Sequence, residues 1–155
     1  MMRFRFLLLL GILLTVLIGC RPPTMVWSGN YSFPDTVWTA EDVIVFEPDT
    51  FSLEGKTPRN AVVSVRYGEN LSVDSLPVAI ELESPKTGNF VTDTINLPIL
   101  PIGERTADKS RMGMFETCDT LPLKYKIMPG YRISIFHANP EVDVTGIYSL
   151  TFELE

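Results

Sequence analysis

Tyr148-Ser149-Leu150-Thr151-Phe152-Glu153-Leu154 is the stretch on which the fold turns. Tyr148, Leu150, Phe152 and Leu154 alternate with Ser149, Thr151 and Glu153, a period of two that puts one dry and one wet face on an extended strand. The same pattern recurs upstream. Val63, Val65 and Tyr67 oppose Ser64 and Arg66, and Val78, Ile80 and Leu82 oppose Ala79, Glu81 and Glu83. Leu121, Leu123, Tyr125 and Ile127 oppose Pro122, Lys124 and Lys126, and Tyr131, Ile133 and Ile135 oppose Arg132 and Ser134. No segment after Thr24 carries a helical period. One-sided burial of this kind belongs to antiparallel sheets.

Weaker strands are predicted at Val43–Phe46, Thr50–Leu53 and Phe90–Leu97. Met128-Pro129-Gly130-Tyr131 places Pro and Gly at the central positions of a type II turn, predicting a hairpin between the runs on either side. Pro48-Asp49, Pro85 to Asn89 and Asn139-Pro140 mark further reversals, while Pro101 to Thr117 reads as a long irregular segment with room for a short helix. Seven to nine short strands with frequent turns predict an all-β fold, a single antiparallel β-sandwich of jelly-roll or immunoglobulin-like kind over residues 25–155. A closed barrel is the alternative. Charged wet faces on short strands argue against an outer-membrane barrel.

Residues 1–19 have another character. Arg3 and Arg5 precede the thirteen uncharged residues Phe6 to Ile18, which is short for a bilayer span of about 20 residues and suited to a signal peptide. The run ends in Leu17-Ile18-Gly19-Cys20, a lipobox-like sequence in which cleavage after Gly19 makes Cys20 the lipidated N-terminus. An uncleaved anchor with an incidental Cys20 is the alternative. Two or three acyl chains, palmitate among them, hold a protein stably on a membrane where one holds it marginally. Residues 20–24 then form the lipidated cysteine and a short tether, Arg21-Pro22-Pro23-Thr24, whose reach is roughly 15–18 Å.

Of the 13 basic residues, Arg3 and Arg5 leave with the signal, so 11 face 19 acidic ones and the mature net charge is −8. That charge repels nucleic acid and anionic head groups, so neither is an electrostatic partner; the lipid is what ties the domain to the membrane, where envelope proteins are the expected partners. With Cys20 acylated, Cys118 has no intramolecular disulfide partner. Its neighbours Glu116 and Asp119 are acidic rather than the basic partners that activate a thiol, so it reads as a small, partly buried filler rather than a nucleophile.

Catalytic signals are weak, and no enzyme is predicted. His137 is the single histidine; on strand parity it points inward, reading as a hydrogen-bonded, partly buried side chain, and no Gly-x-Ser-x-Gly elbow accompanies it. Glu81 and Glu83 lie on one wet face, and Glu141 and Asp143 flank Val142 without a calcium-loop pattern. No metal or other cofactor is expected. Trp27 and Trp38 are the weak ligand-binding candidates: exposed, such rings stack on sugars, although packing at the sandwich edge is the favoured account of them. Met112, Met114 and Phe115 offer either a soft contact surface or a means of tucking their loop onto the sheet.

Several pieces resemble the gliding-motility lipoprotein GldH family of Bacteroidota. They are the lipobox Cys20, Trp38-Thr39-Ala40-Glu41-Asp42 leading to Phe46, the strand ending in Arg66-Tyr67, and Asn70-Leu71. Gly113-Met114-Phe115, Pro129-Gly130, His137-Ala138-Asn139 and Val144-Thr145-Gly146-Ile147 complete the set. Tyr148-Ser149-Leu150-Thr151 follows where the family's ending has acidic and second glycine positions. The resemblance implies a membrane-anchored, non-enzymatic component of gliding or envelope machinery. A periplasmic face is expected, because no acidic run of the kind that accompanies surface export in lipoproteins of that phylum follows Cys20, and the outer membrane is expected rather than the inner. A glycan-binding envelope lipoprotein is the alternative.

Overall fold

A computed structural model describes residues 25–155 except 54, 107, 125, 140 and 141. The signal, Cys20 and the tether lie outside the described residues, as does Glu141. Among the described residues ten strands form: β1 (Trp27–Ser32), β2 (Val37–Trp38), β3 (Ile44–Phe46), β4 (Asn60–Gly68), β5 (Leu76–Glu83), β6 (Phe90–Leu97), β7 (Met114–Pro122), β8 (Arg132–His137), β9 (Val144–Thr145) and β10 (Ile147–Leu154). Two four-stranded antiparallel sheets have the orders β1-β10-β4-β7 and β3-β8-β5-β6, and β2 pairs with β9. The chain is thus one long folded-back ribbon in which β5 pairs with β6, β4 with β7, β3 with β8, β2 with β9 and β1 with β10. Rolled up so that β10 also meets β4 and β8 also meets β5, it has the connectivity of a jelly roll.

The alternating runs supply the core between the sheets. Val63, Val65, Leu150, Phe152 and Leu154 come from one sheet and Val78, Ile80, Ile133 and Ile135 from the other, all buried in one cluster. Phe152 lies over Phe46 across the gap, their rings nearly parallel with centroids 6.2 Å apart. Phe90–Leu97 is a strand with the predicted limits.

Four expectations are corrected. Thr50–Leu53 is one turn of helix (α1) rather than a strand, ended by Gly55 in the left-handed region at φ +69°. The run predicted from Leu121 to Ile127 is not a strand of its own: Leu121 and Pro122 end one that starts further upstream, and Leu123, Lys124, Lys126 and Ile127 lie outside any strand. The seventh strand instead begins at Met114, inside the segment expected to be irregular, and stops at Pro122, opposite Asn60 where β4 starts. Leu123 to Tyr131 carries the chain from one sheet to the other, burying Ile127 on the way. The Met128–Tyr131 turn forms as predicted, with Gly130 at φ +83° and the Tyr131 N–H donating to the Met128 carbonyl (3.2 Å). It does not join a hairpin, however, because β7 and β8 belong to different sheets. Finally, a bulge between Ile147 and Ser149 shifts the register against β4, so Ile147 is buried and Tyr148 is turned outward.

Gly146 sits at the mouth of that bulge. Its φ is +88°, and a Cβ there would stand 2.7 Å from the Leu71 backbone. Gly146→Ala is therefore expected to destabilise the fold by about 1–3 kcal/mol for the backbone conformation and more for the clash, and so to lower the thermal midpoint. Phe152→Asp, which removes a core ring and buries a charge, should prevent folding outright, since losing such a ring costs about 3–5 kcal/mol before the charge is counted. Circular dichroism melts of the two variants check both; a native-like midpoint for either would contradict the packing.

Candidate functional site

A cleft of about 510 Å³ opens at the end of β4 and β7. Arg66, Tyr67, Met114, Phe115 and Glu116 supply one side, and Pro98, Leu100, Lys109, Arg111 and Met112 the other. Tyr67 and Phe115 face each other in the β4–β7 ladder and stack with ring centroids 5.4 Å apart. The tip is a two-residue turn, in which Arg111 N–H donates to the Met114 carbonyl (2.8 Å) and Met114 N–H to the Arg111 carbonyl (3.1 Å). Its central residues, Met112 and Gly113, have φ of +55° and +77°. Met112 is 93% exposed, whereas Phe115 is buried, so the methionine projects and the phenylalanine tucks the loop in.

Arg105 holds this end together. It is 5% exposed, and its guanidinium donates to the carbonyls of Leu100 (2.7 Å), Leu71 (2.6 Å) and Val73 (2.6 Å). A further bond reaches the Asp74 carboxylate at 3.2 Å, and the charge lies 5.9 Å from the Tyr67 ring centroid. The Tyr67 hydroxyl in turn accepts the Leu100 N–H at 3.1 Å. One buried cation therefore joins the loops after β4 and β6, which the chain order leaves far apart. Nothing in the spacing of Pro101 to Thr117 marks Arg105 for this task, and sequence reasoning missed it. On the same loop, Asp108 has its carboxyl held below the usual range, chiefly by a hydrogen bond with the Thr106 side chain.

The residues singled out from the sequence do not gather here. Trp38 is 0% exposed; its indole N–H donates to the Asp42 carbonyl at 3.2 Å, and Phe33 and His137 pack against the ring. A ring so enclosed presents no sugar-stacking face. Trp27 is half-buried with its edge on Phe46 (5.7 Å between centroids), the sandwich-edge role. His137 points inward as parity predicted and is buried, edge-on to Trp38 at 5.3 Å. The expected hydrogen bond is missing: neither ring nitrogen has a protein partner. Cys118 is corrected too, for it is an exposed thiol on β7. Glu81 accepts from the Thr92 hydroxyl (3.3 Å) on its wet face, and Asp143 accepts the Ala40 N–H at 2.9 Å. Among the described residues no group of three or more His, Cys, Asp or Glu is placed to hold a metal, and no helix is long and apolar enough to cross a membrane.

No family model and no curated protein sequence matches the chain. Solved structures with some likeness include an uncharacterized protein of Listeria monocytogenes EGD-e, at 14% identity and TM-score 0.40 over 76% of this chain. Eiger TNF from S. frugiperda shares 8% identity at TM-score 0.39, over 83% of this chain and 91% of its own. The L. monocytogenes cycloalternan-forming enzyme, solved with a pentasaccharide substrate, shares 15% identity at TM-score 0.39 over 76% of this chain. The chain spans only 9% of the length of each Listeria protein. Likenesses at this level assign neither family nor function.

Two substitutions separate the roles at this end of the molecule from those in the core. Arg105→Lys keeps the charge but cannot reach three carbonyls in a fork, so unfolding stability should fall by about 2–4 kcal/mol. His137→Phe should leave stability unchanged or raise it, because a buried unpaired N–H is removed while the ring contact with Trp38 is kept. Urea denaturation reads both, and a large loss in His137→Phe would mean that the imidazole has a partner after all.

Proposed function

We propose that the chain is a lipid-anchored, non-enzymatic lipoprotein of the cell envelope, acting as an assembly or scaffold subunit close to the bilayer and facing the periplasm. The observation that carries this reading is the amino-terminal sequence, a charged start and thirteen apolar residues ending in Leu17-Ile18-Gly19-Cys20. Gliding or related envelope machinery is the setting suggested by the family resemblance, with the outer membrane favoured over the inner.

Three structural facts are in keeping with it. The Val26 N–H donates to the Leu154 carbonyl at 2.6 Å, so the chain is already fixed to β10 a few residues after Cys20. The folded part would then be held within roughly 15–18 Å of the lipid, while its net charge of −8 (11 basic against 19 acidic residues) keeps it off anionic lipid. His137, the sole histidine, is packed under Trp38 and offers no general base to a substrate in solution. Of the two rings considered as sugar platforms, Trp38 is enclosed and Trp27 is half-buried against Phe46, which weakens the glycan-binding alternative.

Metabolic labelling with a fatty-acid analogue tests the anchor. The wild-type chain should be labelled and membrane-bound, and Cys20→Ala should be unlabelled and retain the uncleaved signal. Label on the Cys20→Ala protein would overturn the anchoring, and full function from a soluble periplasmic version would overturn the role near the bilayer.

A further inference from the structure

The cleft at the end of β4 and β7 runs against the charge of the whole molecule. The chain has a net charge of −6, yet three cations, Arg66, Lys109 and Arg111, line this one concavity against a single carboxylate, Glu116. Two of the three are already engaged: Arg66 lies 3.5 Å from Glu116 and Lys109 lies 3.3 Å from Glu104. Arg111 makes no ion pair among the described residues. One uncommitted guanidinium, able to grip a carboxylate with two parallel hydrogen bonds, therefore stands at the rim. The volume of about 510 Å³ suits a small ligand or a few residues of a peptide.

Backbone geometry at the lip points the same way. A two-residue turn with φ positive at both central positions favours Asn-Gly, and Met112 occupies the first of them at φ +55°. Methionine rarely adopts that conformation, and here its side chain gains almost no packing in return, being 93% exposed. A strained, projecting thioether over a cleft lined by Leu100 and Met114 has a use once something apolar lies beneath it. The walls need little rearrangement, because Arg105 and the Tyr67 hydroxyl already fix the loop that forms them.

We propose that this cleft binds an apolar or aromatic monocarboxylate, with Arg111 on the carboxylate and Met112, Met114 and Leu100 around the apolar body. A doubly charged phosphate is a poorer match, since its second charge would compete with Glu116 for Arg66. The chemistry is shared by a small free acid and by the C-terminus of a peptide ending in an apolar residue. The proposal rests on the geometry of the cleft and is independent of the anchoring at Cys20.

Fluorine NMR on the full-length protein in nanodiscs, with protein-free nanodiscs as the blank, provides the test. The probes are a fluorinated phenylpropionate and a Gly-Gly-Ala-Phe peptide fluorinated on its ring, the latter with a free or an amidated C-terminus. Saturable binding of a free acid is expected, with the amidated peptide at least about tenfold weaker, as one lost charge-assisted contact implies. Arg111→Gln should abolish that discrimination. Met112→Asn should weaken binding while leaving the thermal midpoint unchanged or higher, which separates a ligand contact from a structural one. Binding of the peptide acid only would name a protein C-terminus as the ligand, and equal binding of phenylpropionate would name a small acid. No saturable binding at millimolar acid, or unchanged acid affinity in Arg111→Gln with a native circular dichroism spectrum, would overturn the proposal.

Discussion

Two strand pairings turn a ribbon into a closed sandwich, and the remaining architecture depends on them. β10 lies between β1 and β4, and β8 lies between β3 and β5. Without these contacts the nested pairs would form an open double-stranded strip with an apolar face too narrow to bury itself, and an isolated two-stranded strip is marginal in water. With them, Leu154, Phe152 and Leu150 stand beside Ala61, Val63 and Val65. On the other sheet Ile80 and Leu82 stand beside Ile135 and Ile133. The two rows face each other, and slipping either register by one residue would turn its whole apolar set toward water.

The bulge between Ile147 and Ser149 follows from that constraint. β10 must place Leu150, Phe152 and Leu154 inward, and it must also connect back to β9 through Gly146. The parity that suits one end does not suit the other. One extra residue absorbs the mismatch, burying Ile147 and sending Tyr148 outward. It also lets Gly146 pass against the Leu71 backbone, a closeness only glycine permits. Leu71 is in turn one of the carbonyls gripped by Arg105. The packing of the last strand and the shape of the cleft end are thus linked through a single short loop.

Local pattern told the truth wherever a residue's surroundings were set by its own strand. The inward rows of β4, β5, β8 and most of β10 were legible because each strand has one face on the core. Legibility failed where the partner was distant. The alternation in residues 121–127 looks like a strand but accompanies a crossover, since β4 gives β7 a partner only as far as Asn60. Cys118 resembles a filler in composition, yet its position on β7 leaves it exposed. His137 was placed correctly by parity, but whether it found a hydrogen bond depended on Trp38, far away in sequence. Trp38 itself carried no local sign of full burial. Arg105 was the least visible, because three of its four acceptors are backbone carbonyls, which have no sequence signature.

The ladder also gives the domain two unlike ends. Val26 and Glu155 meet beside Asn60, where β4 begins. Arg66 and Tyr67, at the other end of that strand, line the cleft, and about 3.3 Å per residue separates the two by roughly 20–23 Å. Because β10 and β4 are antiparallel neighbours, the end that receives the chain from residue 25 cannot also be the end bearing the cleft. If the tether leads to lipid, as proposed, the cleft points away from the bilayer by the length of the sheet. The short, proline-stiffened tether would keep the near end against the membrane, and repulsion between an acidic domain and anionic lipid would tend to hold it upright rather than flat. An anchored β-sandwich of this topology can thus present a binding end at a fixed height without any flexible arm, a height set by the number of residues in β4.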